Sequence, residues 1–336
     1  MTGQVSRSGA GAESGAQVFR SVAEVPSGFG PSVAAIGNFD GVHLGHQEIL
    51  GGVIKEARSI GARAVAITFD PHPEQVLRPA QAPKLLTPLS ERLRLLSATG
   101  VDAVLVLPFD AALAALTPDE FVREILVGAL GVRSVHEGAS FRFGHGAAAG
   151  VKELAAFGAA SGFAVHIHQA VRVHGMEVSS TAIRALVAAG DMRRARWMLG
   201  RPFAIYSTQA RGRGVGTKLL VPTVNLAACD GLYPAFGVYV TRLNVPGRIF
   251  ESVTNVGNRP TFDGAGFAVE SHILDFEPIP FDDETPIELE FLLRLRGERA
   301  WPSPEALKAQ IMRDVARAKR YFHLSKDLID TETSGD

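Results

Sequence analysis

The sequence has very little cysteine and almost no excess of either charge. Cys229 is the single cysteine, and 34 Lys and Arg residues stand against 35 Asp and Glu residues, for a formal net charge of −1. One cysteine cannot form an internal disulfide, which is typical of a protein from a reducing compartment. A balanced charge provides no broad electrostatic footprint for nucleic acid. We therefore expect a cytoplasmic protein without a nucleic-acid partner.

Long apolar runs and two common nucleotide-binding fingerprints are also absent. No run approaches the ~18–20 apolar residues of a membrane span, so we expect no membrane partner. Neither the P-loop pattern Gly-x-x-x-x-Gly-Lys-Ser/Thr nor the dinucleotide pattern Gly-x-Gly-x-x-Gly occurs. Residues 1–16 are rich in Gly, Ala and Ser. They are predicted to form a disordered tail rather than a secretory signal.

The densest pattern in the chain is Gly37-Asn38-Phe39-Asp40-Gly41-Val42-His43-Leu44-Gly45-His46. An apolar run at 33–36 precedes it, and apolar residues at helical spacing follow it over 47–60, so it reads as a strand, a glycine-rich turn and a helix start. Such a turn brings backbone N–H groups and a helix dipole to a phosphate. On one helical turn His43 and His46 would face the same way and could stabilise a leaving pyrophosphate. The alternative is a plain glycine turn with two surface histidines. The candidate phosphate-binding residues are Gly37, Asn38, Gly41 and Gly45.

Apolar runs alternate with helical patterns through the first 200 residues. Strands are predicted at 33–36, 64–69, 101–107, 132–136 and 165–167. Thr87 and Pro88 predict a helix start that runs to residue 96, and the capping box at 117–120 predicts a helix over 121–130. This alternation favours a parallel, doubly wound α/β sheet with a Rossmann-like architecture.

Two further segments in this half carry chemistry. The loop Gly138-Ala139-Ser140-Phe141-Arg142-Phe143-Gly144-His145-Gly146 interleaves aromatic residues with Arg and Gly. It predicts either a pocket for a planar ligand or two phenylalanines that plug the sheet end. The segment Ser179-Ser180-Thr181-Ala182-Ile183-Arg184 predicts a helix N-cap. The same hydroxyl groups, N–H groups and guanidinium would also bind phosphate, which is the reading we favour beside the upstream turn.

The sequence pattern changes after Gly200-Arg201-Pro202. These residues predict the end of a helix and mark a domain boundary. Two domains also fit a length of 336 residues. Six short β-rich runs follow, at 203–209, 221–226, 238–245, 250–256, 268–276 and 286–295. In the last run, alternate residues from Ile287 to Leu295 are apolar, which indicates a half-buried antiparallel strand. The spacing predicts a six-stranded barrel, crossed by a final helix that begins at Ser303 and Pro304.

Three features of this second half could carry a reaction. The loop 212–218 is glycine-rich and basic, and its Gly214 and Lys218 could close over phosphates. Thr223 and Asn225 could supply oxygen ligands to Mg²⁺. Glu270 could accept a proton from a hydroxyl nucleophile. Each feature also has a purely structural alternative. The loop could be solvated, Thr223 and Asn225 could belong to a strand that begins at a proline, and Glu270 could be an exposed strand residue.

The motifs together resemble the bacterial bifunctional riboflavin kinases/FMN adenylyltransferases, or FAD synthetases. In the first half they are GNFDGVHLGHQ at 37–47, FDPHP at 69–73, LLTPLSER at 85–92, FRFGH at 141–145 and SSTAIR at 179–184. In the second half they are PTVN at 222–225, NVGNRPTF at 255–262 and VESHILDF at 269–276. Two positions depart from the family pattern: Ser140 stands where Asn or Asp is usual, and Leu220 where Gly is usual.

The resemblance implies two ATP- and Mg²⁺-dependent reactions, riboflavin phosphorylation to FMN and FMN adenylylation to FAD. It implies that His43 and His46 stabilise the triphosphate and that Asn38 holds a phosphate oxygen. It implies that the departing pyrophosphate binds at the hydroxyl-rich segment 179–184. There we take Ser179, Ser180, Thr181 and Arg184 as its ligands. In the barrel it implies that Thr223 and Asn225 bind Mg²⁺ and phosphate and that Glu270 is the base. The candidate flavin-binding residues are Ser140, Phe141 and Phe143.

These readings give a domain map and two alternatives. We expect a tail at 1–16, an adenylyltransferase domain at 17–200, a kinase domain at 201–326 and a tail at 327–336. The partners are riboflavin, FMN and ATP, and the protein is expected to be a monomer or a weak homo-oligomer. One alternative is a monofunctional FMN adenylyltransferase with a flavin-binding, non-catalytic barrel. The other is a flavin-binding or RNA-associated protein without catalysis.

Overall fold

The computed structural model describes residues 15–210, 223–261, 264–275 and 283–333. The chain divides into two compact units. The first holds residues up to Phe39, together with His46–Ala82 and Ser90–Gln169. The second holds the short segments Asp40–Gly45 and Pro83–Leu89 and the chain from Ala170 onward.

The first unit is built on a six-stranded parallel sheet with the order β1-β4-β3-β2-β5-β8. Its strands are β1 (Gln17–Phe19), β2 (Ser32–Ile36), β3 (Arg63–Asp70), β4 (Ala103–Pro108), β5 (Val132–Gly138) and, after the small hairpin of β6 (Arg142–Phe143) and β7 (Ala149–Gly150), β8 (Ala164–His168). All five residues of β2 are buried, as expected where both faces of a parallel sheet are covered. The predicted parallel α/β sheet is confirmed.

Helices alternate with these strands. They are α1 (Leu44–Ile60), α2 (Pro73–Leu77), α3 (Leu89–Ala98), α4 (Ala111–Ala115), α5 (Pro118–Glu120) and α6 (Val151–Ser161). α5 continues directly into a π-helix, Phe121–Ala129. Thr117 forms the predicted capping box: its hydroxyl accepts from the Glu120 N–H, and the Glu120 carboxylate accepts from the Thr117 N–H. The apolar faces of the sheet and the π-helix form one core, with Ile67, Leu105, Leu126 and Val135 at its centre.

The second unit begins with the hairpin of β9 (Arg172–Val173) and β10 (Met176–Glu177) and the helices α7 (Ser180–Ala189) and α8 (Met192–Leu199). Six antiparallel strands follow: β11 (Phe203–Ser207), β12 (Thr223–Asn225), β13 (Gly237–Val245), β14 (Arg248–Thr261), β15 (Gly264–Ile273) and β16 (Ile287–Gly297). Their order is β11-β16-β13-β14-β15-β12. Gln209 and Leu226, just beyond β11 and β12, form an antiparallel bridge. The two edges of the sheet therefore meet, which gives the predicted barrel.

The barrel has an inner and an outer face that alternate along each strand. Val224, Val256, Val269 and Phe291 belong to the inner core. On the outer face Val240, Val253 and Leu292 pack against Ala318 and Phe322 of the long helix α9 (Pro304–Thr333). The predicted helix across the barrel is thus present, and it runs on to Thr333, so the predicted tail at 327–336 overlaps its last turns.

Two local predictions about helix starts are wrong. α1 begins at Leu44, so His43 lies just before the helix and the two histidines do not share a helical turn. Thr87 does not cap α3, which begins at Leu89. Its N–H and hydroxyl are engaged instead with Asp40 and Gly41. In the part of the chain that the structure describes, none of the helices combines the length and apolar character needed to cross a membrane.

Candidate active sites

The turn after β2 is anchored in the first unit by a buried arginine. The Arg92 guanidinium donates to the carbonyl oxygens of Asn38 and Phe69, each at 2.9 Å, and its side chain is only 1% exposed. The Thr68 hydroxyl donates to the same Asn38 carbonyl at 3.2 Å. Side chains from β3 and α3 therefore fix the backbone of the glycine-rich turn. The sequence did not indicate a role for Arg92, although Arg92 is the last residue of the motif LLTPLSER at 85–92.

A histidine from the second loop of this unit holds the Asn38 side chain. His72 Nε2 lies 3.2 Å from the Asn38 amide nitrogen, and His72 Nδ1 accepts from the Glu74 N–H. His72 is also the N-cap of α2, with a capping box completed by Gln75. The Asp70-Pro71-His72-Pro73 loop thus positions Asn38, one of the predicted phosphate ligands.

Within the second unit, Asp40 organises the other part of the glycine-rich stretch. Its carboxylate is buried and accepts from the N–H groups of Leu86 and Thr87 at 3.0 and 3.1 Å. Arg184 Nη2 lies 2.5 Å from Asp40 Oδ2, and Arg184 Nε donates to the Lys84 carbonyl at 2.9 Å. The predicted pyrophosphate ligand Arg184 is therefore held in a fixed orientation by an ion pair. Asp40 is a positioning residue that sequence reasoning missed.

The hydroxyl-rich segment starts α7 as a capped helix. The Ser179 hydroxyl accepts from the Ala182 N–H at 3.2 Å, and the Ser180 hydroxyl donates to the Asp40 carbonyl at 2.9 Å. Thr181 is exposed. The N-cap interpretation of this segment is confirmed, and its phosphate role stays a prediction that uses the same helix N-terminus.

His43 is packed in the second unit with only 5% of its surface exposed. Burial, reinforced by the nearby charges of Arg201 and Arg184, lowers the pKa of His43 to about 4, against the opposing pull of its backbone hydrogen bond and Asp40. A side chain on Gly45 would place its Cβ 3.3 Å from the His43 ring. The imidazole is therefore neutral at pH 7 and offers an N–H donor rather than a positive charge.

In the first unit, His46 packs edge-to-face on Phe39, with ring centroids 5.2 Å apart. Gly37 follows β2 there, and a Cβ on it would lie 3.4 Å from the Phe39 ring. In the second unit, Gly41 has a φ of +82°, a conformation that favours glycine. The glycines of the stretch are thus explained by backbone conformation and close packing.

The aromatic loop divides into a packed ring and an accessible one. Phe141 and Phe143 stack with centroids 5.6 Å apart and an interplanar angle of 13°. Phe143 is buried and also contacts Phe121 of the π-helix, whereas Phe141 is half-buried and Ser140 is exposed. Phe143 therefore plugs the sheet end, and the surface available to a planar ligand is that of Ser140 and Phe141.

The predicted barrel residues come together through strand register. Asn225 pairs with Glu270, and Thr223 with His272, where β12 meets β15. Asn255 of β14 is the partner of Glu270 on its other side. Residues two apart on a strand share a face, so all five side chains lie on the outer face of the barrel.

A cleft of about 430 Å³ lies on this outer face, between the strands and α9. Its polar lining includes Thr223, Asn255, Glu270 and His272. On the other side it is lined by Trp301, Ile311 and the Arg296–Asp314 ion pair, with Nε and Oδ2 2.9 Å apart. The cleft combines a carboxylate, hydroxyl and amide oxygens and an aromatic wall, a set that could bind a flavin and a nucleotide. Sequence reasoning missed Arg296, which the pairing of β16 with β13 brings to the site, and Trp301, which lies between β16 and α9. Gly214 and Lys218, and the departure at Leu220, lie outside the described residues.

A parallel α/β unit with a glycine-rich turn before a helix, followed by a barrel with a carboxylate and oxygen donors beside a cleft, is the organisation of a two-domain nucleotide-dependent transferase. Residues 27–182 match the family model described as FAD synthetase, and residues 199–322 match the one described as riboflavin kinase. The bifunctional riboflavin kinase/FMN adenylyltransferase of Pseudomonas fluorescens is 38% identical over 288 residues, which are 85% of this chain and 92% of that protein. Its Escherichia coli K12 counterpart is 35% identical over 295 residues, 88% of this chain and 94% of that protein.

A solved structure described as a macrolide-efflux protein from Streptococcus pneumoniae is similar over 91% of this chain and 99% of its own, with a TM-score of 0.80 and 26% identity. The two family models and the curated relatives show the family. The chain belongs to the bifunctional riboflavin kinases/FMN adenylyltransferases.

Proposed function

We propose that this chain makes FAD from riboflavin in two ATP-dependent steps, at two separate sites. The barrel phosphorylates riboflavin to FMN, and the α/β domain transfers the adenylyl group of ATP to FMN. The observation that carries the proposal is the register that places Thr223, Asn225 and Glu270 on one face of the barrel, beside a cleft large enough for a flavin. A barrel that only binds flavin would not need a carboxylate beside oxygen ligands.

In the kinase step Glu270 accepts the proton of the riboflavin 5′-hydroxyl as that oxygen attacks the γ-phosphorus of ATP, and ADP leaves. Thr223 and Asn225 offer a hydroxyl and an amide oxygen, the oxygen donors that suit Mg²⁺. Bound Mg²⁺ would neutralise charge on the phosphates. The basic segment Gly214–Lys218 would cover those phosphates. Trp301 and the aliphatic part of α9 exclude water from the cleft.

In the adenylyl step a phosphate oxygen of FMN attacks the α-phosphorus of ATP, and pyrophosphate leaves. Positioning and charge stabilisation do most of this chemistry. His43 and His46 donate N–H groups to the triphosphate, and Asn38 donates to a phosphate oxygen. Gly37, Gly41 and Gly45 allow close approach of the backbone. Ser179, Ser180, Thr181 and Arg184 receive the pyrophosphate. Ser140 and Phe141 form the flavin side, and the buried Phe143 supports Phe141 from behind.

The decisive experiment separates flavins after the full chain is mixed with riboflavin, ATP and Mg²⁺. Glu270→Gln should lower kcat for FMN formation by about 10²–10⁴-fold and leave FAD formation from added FMN unchanged. Glu251→Gln is the matched control, because Glu251 lies on the outer face of β14 but does not line the cleft. Undiminished FMN formation by Glu270→Gln would instead support the monofunctional adenylyltransferase with a non-catalytic barrel.

We further propose that the domains are 17–200 and 201–326, and that the protein works in the cytoplasm as a monomer or weak homo-oligomer, without nucleic acid. The separation of the two family-model matches supports the boundary near residue 200. Sedimentation of the purified chain over a range of concentrations tests the oligomeric state. A concentration-independent dimer would contradict it.

A further inference from the structure

A cluster of imidazole and carboxylate groups lies in the first unit, apart from every residue assigned to the two reactions. His136 of β5 is the register partner of His166 of β8, and His168 follows two residues later on the same face. Glu56 reaches this face from α1. Three histidines and one glutamate therefore meet where a helix covers the edge of the sheet.

The donor atoms of this cluster lie at distances that a metal ion could bridge. Glu56 Oε2 is 2.6 Å from His136 Nε2 and 3.2 Å from His166 Nε2, and one ligand atom from each residue lies within 4.8 Å of the others. Tetrahedral zinc with bonds of about 2.0–2.1 Å needs its ligand atoms about 3.3 Å apart. The 3.2 Å distance already fits, and the 2.6 Å distance must open by about 0.7 Å. We propose that Glu56, His136 and His166 bind a divalent transition-metal ion of the zinc class.

The groups behind these three residues are those that orient metal ligands in proteins. His136 Nδ1 lies 2.9 Å from His168 Nε2, so His136 can donate its second N–H to His168 while Nε2 binds the ion. The Ser134 hydroxyl donates to Glu56 Oε1 at 2.7 Å, which leaves Oε2 directed at the two imidazoles. His136 and His168 can change tautomer together, so this rearrangement neither adds nor removes a proton.

The packing keeps room for the cluster and a path to solvent. Gly52 of α1 faces the rings, and a Cβ there would lie 2.8 Å from His136 Nδ1 and from His168 Cε1. The helix therefore approaches closely only because residue 52 has no side chain. The His166 side chain is 49% exposed and that of Glu56 is 26% exposed. Solvent can supply a fourth ligand, as in sites with three protein ligands.

The ligand types identify the metal. Two imidazoles and one carboxylate suit Zn²⁺, Co²⁺ or Ni²⁺, whereas Mg²⁺ prefers an all-oxygen set and is discriminated against here. The site is thus chemically distinct from the Mg²⁺ ligands proposed in the barrel. A bound ion would join α1, the helix that follows the glycine-rich turn, to β5 and β8.

The test is a calorimetric titration of the chelator-treated full chain with Zn²⁺, in buffer containing excess Mg²⁺ to cover the catalytic sites. One Zn²⁺ should bind per chain and raise Tm. His168→Ala, which removes only the orienting group, should weaken binding about 10–100-fold, and His166→Ala should weaken it further. His323→Ala removes an exposed histidine of α9 and is the matched control.

Two results would overturn the proposal. One is the absence of stoichiometric Zn²⁺ binding to the wild-type chain. The other is equal affinity in the wild-type chain and His166→Ala, with loss of binding in Thr223→Ala, which would place the ion in the barrel cleft. Conversion of added FMN to FAD in the presence of Mg²⁺, the reaction proposed for the α/β domain that holds the cluster, should be retained by both histidine variants, which shows that this domain is folded.

Discussion

His43 shows how burial decides what an imidazole can contribute at the phosphate site that we propose. With a pKa lowered to about 4, its ring remains neutral at physiological pH until a ligand changes its surroundings. A neutral imidazole still donates one N–H to a phosphate oxygen. A negatively charged triphosphate would raise the pKa again, so the charge on His43 would increase only when substrate is bound.

The lowered pKa of His43 also predicts that the stability of the folded chain depends on pH. The unfolded chain has a His43 pKa near its ordinary value of 6.5, so it binds the proton between pH 6.5 and 4 while the folded chain does not. The stability of the folded state is therefore complete above pH 6.5 and falls as the pH drops towards 4. A shift of this size corresponds to about 3 kcal/mol of unfolding free energy across the interval.

Urea unfolding of wild type and His43→Asn at several pH values between 7 and 4 measures this effect. The wild-type chain should lose about 3 kcal/mol more than the variant over that range. His323→Asn, at an exposed position on α9, should follow the wild-type curve. Parallel curves for wild type and His43→Asn would contradict the prediction, as would an NMR titration of the His43 ring near pH 6.5.

At the scale of elements, a chain of buried hydroxyl groups runs through the inner face of the barrel. Thr241 of β13 lies 2.7 Å from Ser252 and 2.6 Å from Thr254 of β14, measured between hydroxyl oxygens. Thr254 in turn lies 2.9 Å from Ser271 of β15. Ser271 follows Glu270 directly, so the hydroxyl chain fixes β15 from inside while Glu270 faces the cleft.

Thr254→Val keeps the shape of the side chain and removes the central hydroxyl. The Ser271 hydroxyl then loses a buried partner, which should cost about 1–3 kcal/mol of unfolding free energy in urea titrations. The double variant Thr254→Val/Ser271→Ala also removes the Ser271 hydroxyl that has lost its partner. It should therefore recover part of the lost unfolding free energy. A double variant that is less stable than the sum of the single changes would contradict this account.

Elements with a strong local pattern were predicted from the sequence, and elements created by distant pairing were not. The alternation from Ile287 to Leu295 predicts β16, because one face of that strand is buried in the barrel. β1 has only the three residues Gln17–Phe19, and it is a strand because it pairs with β4. α6 was also missed, although Glu153 signals its start by accepting from the Gly150 N–H.

The candidate sites divide in the same way. Motifs identified Thr223, Asn225 and Glu270, but only the pairing of β12 with β15 places them together. Asp40 and Arg184 are 144 residues apart in the chain, and no local pattern predicts their ion pair. The metal-type cluster was missed because His136 is separated from His166 and His168 by a loop, a hairpin and a helix, and only the register of β5 and β8 joins them.

At the scale of the whole molecule, two reactions are carried by one chain, and FMN is the product of one and the substrate of the other. Apart from Arg184, which lies just beyond the first match, the residues proposed for each reaction fall within a different family-model match, 27–182 or 199–322. Each proposed reaction uses its own set of residues. Loss of one activity should therefore leave the other intact, apart from the supply of FMN.

This independence predicts that two inactive chains complement each other in solution. His43→Asn should stop at FMN when given riboflavin, ATP and Mg²⁺, and Glu270→Gln should form neither product from riboflavin. An equimolar mixture should form FAD, because FMN released by the first variant can enter the adenylyl site of the second. The double variant His43→Asn/Glu270→Gln, mixed with either single variant, is the control that must give no FAD from riboflavin. Separation of the flavins over time measures all of these reactions.

The contradicting outcome is a mixture that accumulates FMN without FAD while Glu270→Gln still converts added FMN. The intermediate would then be retained by the chain that made it. The two sites would be coupled by direct FMN transfer rather than through free solution.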